Sequence, residues 1–280
     1  MKKLVIVPNL TKDKGFAVTD EVVKKLLELG FDVYTSASSG YARNGVELFD
    51  AFPTDTDLII VIGGDGSVID ASSLAIENNV PILGVNLGRV GYLAEVEPTS
   101  LSVFDNLISG EYCVTEKMLL SVEFENGDVC DKYAVNDVAI SRGASLNIAN
   151  IRIEDSNGNV LGLRADGVVL ATPQGSTAYS FSSGGPIVAH DVESILLTPV
   201  SPHSFFNRSV LFNSSDVIKV TNNSDDALSV SLDGRSAGNL LPGQFCKIKK
   251  AEATVKMLTF TENSMFSSLV KKMRILGDID

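Results

Sequence analysis

The stretch Asp57-Leu58-Ile59-Ile60-Val61-Ile62-Gly63-Gly64-Asp65-Gly66-Ser67 constrains this chain more than any other. An apolar, β-branched run that ends at glycine reads as a strand buried on both faces, and residues 67–75 read as the helix that follows it. Asp65 is thereby placed at the carboxyl end of a sheet strand, where open α/β sheets bind their ligands. Glycine lets the backbone turn tightly and approach a ligand, and the free N–H groups of the new helix attract anions. The stretch predicts a phosphate held beside a carboxylate.

The same rhythm runs through the first third of the chain. Residues 4–8 are strand-like, 19–30 carry apolar residues at helical spacing with acids early and Gly30 at the end, and 31–35 form a second strand. A Ser/Gly-rich loop at 36–45 leads to a short amphipathic piece at 46–52. The strand and helix described above follow, then a buried strand at 81–87 and a helix at 100–109 closed by Gly110. This alternation predicts a parallel sheet with right-handed crossovers.

From Cys113 onward hairpin signals replace it. Asn126-Gly127 separates strand-like runs at 119–124 and 132–141, and Asn157-Gly158 separates 150–154 from 160–163. Further β-rich runs occupy 209–212, 217–220, 228–232 and 245–249. The expected architecture is an α/β domain at 1–112, a Rossmann-like parallel sheet with flanking helices. A β-rich, β-sandwich-like domain follows at 113–256, and a segment at 257–280 with a helix-like run at 264–273 packs back on the first domain.

Composition narrows the partners. With 35 acidic and 23 basic residues, the net charge of −12 argues against nucleic acid and anionic membranes, both of which demand a basic face. A polyphosphate ligand stays compatible, because backbone amides and a divalent cation supply a local positive field, and Mg²⁺ is the expected ion. Cys113, Cys130 and Cys246 are odd in number and far apart, which suggests neither a disulfide framework nor a zinc cluster and fits a reducing cytoplasm. No stretch reaches the length of a membrane span, and the apolar run at the start is too short for a signal peptide. His190 and His203 have no partner at metal-ligand spacing and read as surface or packing residues.

Three further constellations carry chemistry. In Thr172-Pro173-Gln174-Gly175-Ser176-Thr177-Ala178-Tyr179, preceded by Asp166-Gly167, a hydrophobic strand runs into a turn crowded with hydroxyls, glycine and an aromatic ring, which suits a polar ligand. Asn136-Asp137 places an amide beside a carboxylate at a strand, a pair able to fork around a ribose diol. Residues 84–93, from Gly84 through Asn86, Gly88 and Gly91 to Tyr92-Leu93, form a second glycine-rich strand end. No Walker A loop and no GxGxxG fingerprint is present.

Together these stretches resemble the NAD kinase family over essentially the whole chain. The family's GGDGT stands here as 63–67 with Ser67 for threonine, its G-x-N-x-G-x-x-G-(F/Y)-L as 84–93, its Asn-Glu/Asp pair as Asn136-Asp137, and its TPTGSTAY as 172–179 with Gln174 as a departure. The resemblance implies transfer of the ATP γ-phosphoryl group to the 2′-hydroxyl of the NAD adenosine ribose, with Asp65 as the base. It implies that Gly63, Gly64, Gly66 and Ser67 hold the phosphates, and that Mg²⁺ offsets the triphosphate's charge with no metal ligand assigned to a protein side chain. NAD contacts are expected at Asp65, Gly66, Tyr92, Asn136, Asp137, Arg164, Asp166, Gln174, Thr177, Ala178, Tyr179, Ser182 and Arg235. Asn147 belongs with them, at a place where many relatives carry histidine. The resemblance also implies a homodimer or homotetramer. Lipid and sugar kinases with GGDG-like turns are the nearest alternative, set apart by the second-domain motifs; a non-catalytic nucleotide sensor and a Rossmann oxidoreductase are the others.

Overall fold

A computed structural model describes residues 1–88, 91–128, 130 and 133–260. The chain forms two compact units, Met1–Glu116 with the segment from Val255 onward, and Lys117–Thr254. The first unit contains β1 (Lys3–Pro8), α1 (Ala17–Glu28), β2 (Asp32–Ser36), β3 (Val46–Phe49), β4 (Leu58–Gly63), α2 (Asp65–Glu77), β5 (Ile82–Asn86) and α3 (Asn106–Ser109). Its strands lie in the order β3-β2-β1-β4-β5, all parallel. All six residues of β4 are buried, as a run without polar alternation requires of a strand covered on both faces. Val22, Val23 and Leu26 of α1 pack with Leu4, Ile6, Leu58, Ile60 and Ile62 of the sheet.

The order has a geometric consequence. β1 leads by α1 to β2 on one side, whereas β4 leads by α2 to β5 on the other, so the sheet's order reverses between β1 and β4. Right-handed crossovers then put α1 and α2 on opposite faces and open a crevice between the loops that leave these two strands.

The second unit is a sandwich. After β6 (Cys113–Phe124) come β7 (Asp137–Ser141), β8 (Ala149–Glu154), β9 (Val160–Ala165), β10 (Gly167–Ala171), α4 (Tyr179–Ser182), β11 (Ser194–Val200), β12 (Val210–Asn213), β13 (Ile218–Asn222), β14 (Leu228–Leu232), β15 (Arg235–Leu240) and β16 (Phe245–Thr259). One sheet runs β12-β11-β10-β7-β14-β15, and facing it are β16, β13, β8 and β9 in antiparallel register. Leu120, Val138, Ile140, Ile151, Ile153, Val168, Leu170, Val220 and Val230 fill the space between the two sheets. The far end of β16 belongs to the first unit, where Met257 pairs in parallel with Ile82 of β5.

Three local differences from the expected elements have physical reasons. The piece at 46–52 is an edge strand, β3, paired with β2 from Val33↔Val46 to Ser36↔Phe49; four residues are too few to display a period. The helix expected at 100–109 is mostly a 3-10 run over Pro98–Asp105, with α-helical geometry only in α3 before Gly110 (φ 80°). The strand expected at 132–141 is regular only from Asp137, because the amides just before it are drawn to a side chain, as described below. The helix-like run at 264–273 lies outside the described residues.

Replacement of Leu170, fully buried between the two sheets, by alanine is expected to cost about 2–5 kcal/mol. Leu211→Ala on the exposed edge strand (53% exposed) should stay within about 0.5 kcal/mol. Urea denaturation of both variants checks the contrast.

Candidate active site

Asp65 is the first residue of α2, yet its carboxylate does not cap that helix. It reaches across to the segment after β5, where Oδ2 accepts from Tyr92 N (2.8 Å) and Oδ1 accepts from Leu93 N (2.8 Å) and Ala94 N (3.1 Å). The glycines of 84–93 make this approach possible. A side chain on Gly84 would stand 2.6 Å from Ala94 Cα, and Gly91 adopts φ 49° with a Cβ position blocked by the Ala94 carbonyl. Asn86, nearly buried, fixes the same loop by accepting from Gly88 N (2.9 Å) and donating to Glu97 Oε1 (3.4 Å). Tyr92 is half-buried, and burial first, with Asp65's charge second, raises the pKa of its hydroxyl.

Around Asp65 the turn is tightly built but open on one side. A side chain on Gly63 would collide with Ser67 Oγ, whereas one on Gly66 would meet nothing within 4 Å. Ser67 Oγ accepts from Asn9 Nδ2 (2.7 Å). Asn9 follows β1, and its Oδ1 accepts from Thr11 N (3.0 Å), Thr11 Oγ1 (2.7 Å) and Lys12 N (3.1 Å). The loop after β1 is thus tied to the loop after β4, the two walls of the crevice. Neither Asn9 nor Lys12 was expected from motifs, although the loop following β1 is where a reversal of strand order beside β4 directs attention.

In the second unit, two of the motifs fold into one cluster. Thr172 N donates to Asn136 O (2.8 Å) and Thr172 Oγ1 to Val135 O (2.7 Å), while Gly175 N donates to Thr172 Oγ1 (2.9 Å). Position 175 must be glycine, because a Cβ there would run into the Asn136 carbonyl. Asp233, in the turn between β14 and β15, collects three consecutive amides. Its Oδ2 accepts from Val135 N (2.8 Å), and its Oδ1 from Asn136 N (2.8 Å) and Asp137 N (3.0 Å). Asp233 was not among the expected residues; its neighbour Arg235, half-buried, places its charge near it.

The other expected residues divide. Gln174 is buried, Thr177 and Ala178 are half-buried, and Tyr179 and Ser182 are exposed. The Tyr179 backbone amide donates to Asp137. Elsewhere in the unit, Asp166 forms an ion pair with Arg142 (2.9 Å), and Asn147 Nδ2 donates to Asp226 (2.8 Å). The Arg164 side chain is exposed, and its carbonyl accepts from His203 N (2.7 Å).

Asp137 is buried, and desolvation, followed by the charge of Asp233, pushes its carboxyl up to about 7 against the Tyr179 amide, which favours ionisation. Between the ordinary value of 3.8 and about 7, the folded chain keeps a proton that the unfolded chain has released. Stability contributed at this group therefore falls as pH rises through that window, by an amount on the order of 4 kcal/mol. Urea denaturation at pH 4 to 8 should show Asp137→Asn gaining stability relative to the parent as pH rises; parallel pH profiles would contradict the assignment.

Comparison with known proteins identifies the family. The family model described as the ATP-NAD kinase N-terminal domain matches residues 4–112, and that of the ATP-NAD kinase C-terminal domain matches residues 135–260. The chain is similar to the NAD kinase of Thermoanaerobacter sp. (strain X514), 36% identical over 281 residues covering 98% of this chain and 99% of the relative. It is similar to that of Geobacter sulfurreducens at 33% identity, covering 98% and 99%. Among solved structures, yeast NADH kinase complexed with NADH shares the fold with a TM-score of 0.85 at 24% identity, covering 100% of this chain and 88% of that one. An NAD kinase from Archaeoglobus fulgidus in complex with ATP shares it with a TM-score of 0.73 at 24% identity, covering 98% and 99%. On the strength of both domain matches and of relatives aligned end to end, the chain belongs to the NAD kinase family.

Proposed function

We propose that this chain transfers the γ-phosphoryl group of ATP to the 2′-hydroxyl of the adenosine ribose of NAD, giving NADP and ADP. The observation that carries the reading is the Asp65 carboxylate, fixed by three amides at the end of β4 beside the open N-terminus of α2. A carboxylate offers about four acceptor positions. Leu93 and Ala94 fill two on Oδ1 and Tyr92 one on Oδ2, which leaves the last on Oδ2 for the acceptor's proton.

The ribose oxygen forms its bond to the γ-phosphorus as the bond from that phosphorus to the ADP oxygen breaks, and the hydroxyl proton passes to Asp65. Positioning and charge neutralisation carry most of the work in so loose a transition state. Gly63, Gly64, Gly66 and Ser67 supply backbone amides and a hydroxyl for the phosphates. Mg²⁺ carried by the triphosphate, with no protein side chain assigned as its ligand, would lower the charge on the transferring group. In the second unit Asn136, Asp137 and residues 174–182 hold the dinucleotide, with Arg235 beside them; Arg164 and Asp166 orient its remainder, the latter through its pair with Arg142.

The relatives' names and the ATP- and NADH-bound neighbours support this substrate pair, and the match at 135–260 favours a dinucleotide over a lipid or sugar acceptor. Among the described residues no helix is long and apolar enough to cross a membrane, and the three cysteines are unpaired, which suits action in the cytoplasm. Assembly as a homodimer or homotetramer completes the proposal.

Asp65→Asn keeps one acceptor oxygen for the Leu93 and Ala94 amides while removing the proton acceptor. In an assay with NAD, ATP and Mg²⁺, kcat should fall by roughly 10²–10⁴. Calorimetric NAD affinity should change by no more than about threefold, well under one step of 1.4 kcal/mol. Activity near that of the parent would remove Asp65 as the base.

A further inference from the structure

We propose that Lys12, on the loop after β1, is the side chain that binds and neutralises the phosphate chain of the phosphoryl donor. The inference rests on the reading of the chain as an ATP-dependent kinase and assigns a residue that no motif of the family resemblance includes.

Three observations converge on it. The first is position. Lys12 leaves β1 on the wall of the crevice opposite the turn at 63–67, at the reversal of strand order where open α/β sheets take their ligands. Its ammonium lies over the bare backbone of that turn: a Cβ on Gly64 would stand 2.5 Å from Lys12 Nζ, and one on Gly88 4.0 Å from it. Glycine at 64 leaves the space the ammonium occupies.

The second is electrostatic. The N-terminus of α2, a 13-residue helix, carries about half a positive charge from its unpaired N–H groups, so a lysine ammonium beside it is repelled unless an anion lies between them. No ion pair or hydrogen bond occupies Lys12 Nζ among the described residues, and Asp65, the carboxylate of the turn, has three of its acceptor positions taken by the amides of residues 92–94. Two positive groups converging on a turn whose carboxylate is largely taken up by N–H donors fit a ligand that brings several negative charges.

The third is the support behind Lys12. Asn9 N donates to Ile62 O (2.9 Å), Asn9 Oδ1 takes the Lys12 amide, Asn9 O also accepts from Lys12 N (3.1 Å), and Asn9 Nδ2 holds Ser67 Oγ. The base of the lysine is thus fixed relative to the phosphate turn, while its exposed side chain keeps the freedom to follow a triphosphate. An ammonium in this place bonds phosphate oxygens by charge-assisted hydrogen bonds and offsets the charge that builds on the leaving ADP.

Steady-state kinetics of Lys12→Ala and Lys12→Arg, together with calorimetric titration of inorganic tripolyphosphate, test this. In Lys12→Ala, kcat/KM for ATP should fall roughly 10–10³-fold and tripolyphosphate affinity roughly tenfold or more, with KM for NAD within about twofold; Lys12→Arg should recover most of both. Lys12→Ala with parental ATP kinetics and tripolyphosphate affinity overturns the proposal, as does an equal loss toward NAD and ATP accompanied by a lowered melting temperature. Should the parent chain transfer no phosphoryl group, the kinase reading fails by itself, and the tripolyphosphate titration still decides the role of Lys12.

Discussion

The bonds from three consecutive amides to one carboxylate organise the first unit. Asp65 begins α2, yet its side chain turns away from the helix and holds residues 92–94 against the end of β4. Charge-assisted hydrogen bonds of this kind are about twice as strong as neutral ones, and three of them fix both the loop and the carboxylate plane. Much of the local sequence follows from that contact. Gly84 lets Ala94 cross β5 at close range, Gly91 supplies a positive φ, and Asn86 braces the loop from beneath. The glycines that read as ligand-binding features in the sequence serve first to bring one strand's connection onto another strand's carboxylate.

The second unit uses the same device. Asp233 gathers the amides of Val135, Asn136 and Asp137 with the same division, two on one oxygen and one on the other. Here the fixed element is the start of β7, which carries the polar pair Asn136-Asp137 into contact with the turn at 172–179. Fixing that pair buries Asp137 beside a second carboxylate, a costly arrangement that raises its pKa. A chain optimised only for stability would not place two carboxylates so; local conflict of this sort marks functional sites.

Most of the architecture was legible because long-range burial writes itself into local pattern. The continuous apolar run of β4, the helical spacing of α1 and the Asn-Gly turn between β8 and β9 each report the environment of their own residues. What was not legible lacks such a local trace. β3 is a four-residue edge strand with only half-buried ends, and the 3-10 run at 98–105 shares its composition with a short α-helix. Asp233 read as part of a hairpin turn because its amide partners lie nearly a hundred residues earlier in the chain. Lys12 belongs to no motif, and it gains meaning only when strand order places the loop after β1 beside the loop after β4.

The charge of the chain and the charge of its proposed ligands then need reconciling, since a protein of net −12 is expected to repel nucleotides. At physiological ionic strength the Debye length is about 8 Å, so acids scattered over the exterior are largely screened from a bound phosphate. Groups within a few ångströms decide instead, and in the crevice of the first unit these are the N-terminal amides of α2 and the ammonium of Lys12. The Asp65 carboxylate in this turn has three of its acceptor positions occupied by N–H donors, whose dipoles offset much of its charge toward neighbours. The overall acidity thus excludes extended polyanionic surfaces, which would meet the whole exterior. It leaves room for nucleotides whose phosphates meet a locally positive turn.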